Sequence, residues 1–83
     1  MELILDRTFE TSDFLTWYHQ ASPGDSCTVI IPAMQDWHLT ITKTAEDDQL
    51  LLDPDGHRSR LIALDDLLHM LDSMHRTMVA RVK

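Results

Sequence analysis

Five histidines, one cysteine and a surplus of carboxylates are the groups in these 83 residues that could do chemistry. The histidines stand at 19, 38, 57, 69 and 75, and no pair has the spacing of metal ligands on one element. His69 and His75 are six apart on a helical stretch, so they project in different directions. Asp53-Pro54-Asp55-Gly56 opens like a calcium loop but lacks the third acidic position and the closing Glu. Turn chemistry accounts for it fully. Cys27 lies in a β-branched stretch facing the expected core, with no neighbouring cation to favour its thiolate. It is expected to be a small packed hydrophobe. No serine sits in a nucleophile elbow.

The two glycines, Gly24 and Gly56, both stand next to proline or in a proline turn, so no glycine-rich phosphate cradle exists. A chain this short buries about 60–65% of its unfolded surface, which leaves little room for a deep substrate pocket. The expectation is a protein without catalytic residues, cofactor or metal, and therefore not an enzyme.

What remains is charge. Fourteen acidic residues against seven Lys and Arg give a formal net charge of −7. Phosphate binding runs on Lys and Arg displacing counterions, so direct nucleic-acid binding is not expected. A basic protein, or one that itself binds nucleic acid, is the better partner. Glu46, Asp47, Asp48, Asp53 and Asp55 fall in one span that contains no Lys or Arg. They are the candidate partner-binding acidic surface. If 44–48 and 53–56 close opposite ends of one strand, these acids form two spots. The ordinary reading, solvated loops that keep a small protein apart from its copies, stands beside the functional one.

The element that organises the rest is the stretch from Ala63 to about Val82. Leu64, Leu68, Leu71, His75, Met78 and Val82 recur at helical spacing, widened by Leu67 and Met74. Asp65 and Asp66 suit the helix start; Arg76, Arg81 and Lys83 suit its end. Ahead of it, Glu2–Arg7 reads as a strand, and Thr11 or Ser12 as the N-cap of a helix reaching Ala21. Ser26–Ile31 is a strand apolar on both faces, hence central. Trp37–Lys43 alternates, with Trp37, Leu39 and Ile41 inward and His38, Thr40 and Thr42 outward. Gln49–Asp53 and His57–Ile62 form a hairpin about the proline-glycine turn.

The order is β-α-β-β-β-β-α over a single domain, residues 1–83. The expected fold is an α+β two-layer sandwich, a four- to five-stranded mixed sheet with two helices on one face. The first strand-helix-strand unit should cross over right-handed and leave its strands parallel.

A five- or six-residue strand is about 17–20 Å long, and a helix of ~18–20 residues about 27–30 Å. The last turns should therefore overhang the sheet. Met74, His75, Met78 and Val82 are the candidate apolar interface, for a partner or for a homodimer paired through this helix. Methionine suits such a surface because it adapts to a partner's shape. Met74, Met78, Trp17 and Trp37 are candidate anchors.

The single cysteine fits a reducing cytoplasm, and no apolar run reaches the ~20 residues of a membrane span. The functional expectation is a small acidic protein-binding module, an inhibitor or regulator of a basic or nucleic-acid-binding protein. Size and charge are those of phage- and plasmid-encoded inhibitors and immunity proteins, but no motif carries a family assignment. The homodimer is the alternative.

Overall fold

The computed structural model describes residues 1–81, with side chains through residue 77. It is the expected α+β sandwich: a five-stranded sheet in the order β1-β2-β3-β4-β5, one face covered by two helices. β1 (Glu2–Ile4) lies parallel to β2 (Ser26–Ile31), with α1 (Thr11–Gln20) as the crossover. β3 (Trp37–Lys43), β4 (Gln49–Pro54) and β5 (Arg60–Ala63) follow as an antiparallel meander. α2 (Leu64–Arg81) begins directly where β5 ends.

Alternation along the strands decides what is buried. Leu3, Cys27, Val29, Ile31, Leu39, Ile41, Leu50 and Leu52 share the inner face and are buried together. Phe14, Trp17 and Tyr18 of α1 and Leu67 and Leu71 of α2 close over them. Each such side chain contributes about 1.5–3 kcal/mol by leaving water. That burial holds the two layers together.

Several boundaries differ from the sequence expectation, each for a local reason. β1 stops at Ile4 because the Asp6 N–H turns back to the Ile4 carbonyl at 3.0 Å. Leu5 nevertheless stays buried, its N–H on the Ile30 carbonyl at 2.8 Å. α1 begins at Thr11 after Glu10, which makes no side-chain cap bond, so neither Thr11 nor Ser12 is the N-cap. β4 runs through Pro54, and the turn closes one residue later than expected, by the His57 N–H on the Pro54 carbonyl. Gly56, at φ +79°, supplies the left-handed step inside it. The last strand is Arg60–Ala63 in place of His57–Ile62.

In α2 the wholly buried positions are Leu67 and Leu71, while Leu64 and Leu68 are only partly buried. The stripe is thus rotated toward the side that the sequence reading treated as a widening. Met70, absent from that reading, also packs on the core. The expected overhang is shorter too. Met74 packs against the core, and His75 Nε2 lies 2.8 Å from the Asp6 carbonyl. The ring of Phe9 meets that of His75 edge-on at 5.2 Å. The segment between β1 and α1 rises under the helix and covers what the strands do not reach.

Candidate functional site

Among the described residues no layer covers the outer face of the sheet, and the register assembles it row by row. Nearest the start of β2 lie Ser26, Thr42, Leu51 and Leu61, side by side across four strands. The next row is Glu2, Thr28, Thr40 and Asp53. The third is Ile4, Ile30 and His38. A largely polar face is expected here, with His38, Thr40, Thr42 and Thr28 on it and Ile30 among them. The structure adds further apolar residues, of which Leu61 is 63% and Ile4 48% exposed and Leu51 half-buried, as Ile30 is. Single exposed apolar side chains are ordinary on a small domain; here Ile4 neighbours Ile30 and Leu61 neighbours Leu51, two small apolar pairs toward opposite edges of the sheet.

That set had a faint signal in the sequence. Leu3-Ile4-Leu5 and Leu50-Leu51-Leu52 are runs of three apolar residues, and a strand cannot point three consecutive side chains to one face. One of each run must emerge outward. Which ones stand side by side depends on register, and register is tertiary.

The acids are divided between the ends of the strands. Glu46, Asp47 and Asp48 precede β4; Asp53 and Asp55 lie at its other end. The first group is joined by Asp25 before β2 and by Asp65 and Asp66 in the first turn of α2. Lys43 stands at the end of β3, beside these acids. Its ammonium is engaged with the carbonyls of Tyr18 and Ala21 at 2.7 and 2.9 Å. This end is an acidic pole. Asp48 also serves the fold: at φ +58° it donates its N–H to Tyr18 Oη and accepts the Leu64 N–H.

At the opposite end, His38, Thr40, Asp53, Asp55 and His57 border an open cleft of about 280 Å³. The turn beneath it is held firmly. The Asp55 N–H bonds the His38 carbonyl, and the indole Nε1–H of Trp37 donates to the Asp55 carbonyl at 2.9 Å. His57 sits edge-on to Trp37 at 6.2 Å. Asp53 Oδ1 accepts the Ser59 hydroxyl at 3.0 Å. Arg58 and Arg60 lie close in sequence, so the field here is mixed in sign.

Of the candidate apolar interface, Met74 and His75 are half-buried within this chain. Met78, by its side chain, and Val82 altogether, lie outside the described residues. Trp17 is buried among core residues, and Trp37 is half-buried with its ring nitrogen satisfied. Trp17 is thus closed off, while Trp37 lines an open groove of about 230 Å³ with Met70 and Met74. Cys27 is buried, and desolvation pushes its thiol up to about 11, as expected of a packed cysteine.

Among the described residues no group of three or more His, Cys, Asp or Glu converges as metal ligands. None of the described helices is long and apolar enough to cross a membrane. Comparisons with family models, with curated proteins and with solved structures found no match.

Proposed function

We propose that this chain is a non-enzymatic protein-binding module whose partner is a basic protein. The observation that supports it is a juxtaposition. The outer row Ser26–Thr42–Leu51–Leu61, with its exposed leucine, borders the pole formed by Asp25, Glu46, Asp47, Asp48, Asp65 and Asp66. Carboxylates at the rim raise the encounter rate with a cation-rich surface. The two leucines of that row, Leu51 and Leu61, then supply affinity by leaving water on contact.

Charge also argues for a different molecule rather than a second copy. Two such faces brought together would oppose the same carboxylates across a desolvated interface. A basic surface reverses that sign. An inhibitor or regulator that occupies a nucleic-acid-binding groove fits these requirements, because such grooves are already lined with Lys and Arg.

The test is binding of a partner co-purified from the native host, measured by titration calorimetry against salt. Association should weaken several-fold between about 0.05 and 0.3 M salt. Glu46→Lys with Asp47→Lys should weaken it further, and Leu61→Lys should abolish it while the fold is retained. A partner of acidic character, or affinity indifferent to both salt and these substitutions, would sink the proposal.

A further inference from the structure

The two edges of the sheet are not alike, and one of them faces a groove. β1 is bonded to β2 on one side only. The Met1 carbonyl accepts the Thr28 N–H, and the Leu5 N–H donates to the Ile30 carbonyl. Alternation along a parallel ladder then turns the backbone of Leu3 toward β2 and the backbones of Glu2 and Ile4 toward the open side. The Ile4 carbonyl is already taken by the Asp6 N–H at 3.0 Å. Among the described residues nothing bonds the Glu2 N–H, the Glu2 carbonyl or the Ile4 N–H, which is the pattern an incoming strand requires.

Beside this edge lies an open groove of about 230 Å³, between β1 and the segment leading into α1. Phe9 and Leu3 supply its apolar wall, and Glu2, Asp6 and Asp13 its charge. Among the described residues, no Lys or Arg lines it. Asp6 is held ionised by the Thr8 hydroxyl and N–H, which both donate to its Oδ1 at 2.6 and 2.8 Å. β5, at the far edge, begins instead at Arg60, with Arg58 just before it. The two edges thus differ: carboxylates line the groove at β1, and arginines stand at the start of β5.

We infer that the open edge of β1 receives an extended, Lys- or Arg-bearing segment of another protein as a sixth strand. Main-chain bonds to Glu2 and Ile4 would fix its register. Alternate side chains would fall into the groove, where Glu2, Asp6 and Asp13 select for cations. This surface is separate from the outer row at Leu61 and stands or falls independently of it.

The probe is a synthetic peptide of about ten residues alternating lysine and valine, titrated into the isotopically labelled full chain and followed by amide NMR. The expected result is saturable shifts centred on Glu2–Ile4 and Asp13, weakening several-fold as salt rises from about 0.05 to 0.3 M. The same peptide N-methylated at alternate amides should show no binding. Ile4→Pro removes an outward N–H while leaving the β2 ladder intact, and should weaken binding about tenfold. Asp13→Lys should weaken it several-fold. Equal binding of the N-methylated peptide would overturn the inference, whether or not Ile4→Pro folds. Shifts confined to Thr42, Leu51 and Leu61 would overturn it while leaving the basic-partner reading intact. Self-association that the peptide fails to compete away would assign the edge to the Arg60 edge of a second copy and overturn it likewise.

Discussion

The ammonium of Lys43 sits 2.7 Å from the carbonyl of Tyr18 and 4.5 Å from the centre of that residue's ring. One side chain from the sheet thereby closes the C-terminal end of the helix above it. Ala21 completes the arrangement, its carbonyl accepting a second bond at 2.9 Å. A cation is favoured there by the partial negative charge of the helix end. Lys43 consequently belongs to the fold, its ammonium held by backbone carbonyls.

Lys43→Met keeps the stem and removes the donor. It should cost about 1–2 kcal/mol, the range for charge-assisted bonds to backbone carbonyls. In a domain this small that lowers the melting midpoint by about 4–8 °C per kcal/mol. Urea unfolding of the two chains measures it; an unchanged midpoint would show the contact to be idle.

Cys27 should resist thiol reagents in the native state and react only through unfolding. Its thiol is raised from 9.0 to about 11 by burial. The sign of the linkage follows: the folded state holds the proton more tightly, so this contribution is complete below pH 9 and is lost as pH climbs toward 11. Labelling rates in increasing urea should track the unfolded fraction. Cys27→Ser should cost about 1–3 kcal/mol by burying a hydroxyl without a partner.

The carboxyl of Asp6 lies below its ordinary 3.8, first because the Thr8 hydroxyl bonds it, then because the Thr8 N–H does. Its stabilising contribution is present above that ordinary value and disappears as pH falls through the lowered one. Thr8→Ala should move Asp6 upward toward 3.8 in a carbon-detected NMR titration. No upward movement would locate the cause elsewhere.

Backbone sign separates two substitutions that look alike on paper. Gln35, at φ +57°, lies in the left-handed region that suits glycine. Gln35→Gly should therefore stabilise by about 0.5 kcal/mol after the entropy glycine adds to the unfolded chain. Gly24, at φ +97°, has nothing within 4 Å of an added Cβ. Gly24→Ala should still cost about 1–2 kcal/mol, from strain alone. Opposite midpoint shifts in urea, the larger at Gly24, would support this; two neutral results would not.

The α2 stripe offers a graded comparison. Leu71 is fully buried and Met74 only partly. Leu71→Ala should cost about 2–4 kcal/mol and Met74→Ala about 1 kcal/mol. Sedimentation of Met74→Ala at micromolar concentration also probes the helix-pairing alternative: a dimer through this face would lose its association.

Binary pattern carried most of the architecture in advance. Alternation from Trp37 to Thr42 named the inner and outer residues of β3 correctly, because a strand has only two faces. Helical spacing placed α2, and the proline-glycine turn placed the end of β4 to within a residue, although β5 starts three residues later than expected. These depend on neighbours in sequence, and local sterics settle them. What surrounds Leu61, Glu2 and His75 was out of reach. The outer rows pair residues from four separate strands, and the Asp6 carbonyl meets a side chain 69 positions away. Which strands become neighbours, which edge stays open, and how the β1–α1 segment rises to cover the end of α2 are decided by the whole core closing at once. No window along the chain contains that information.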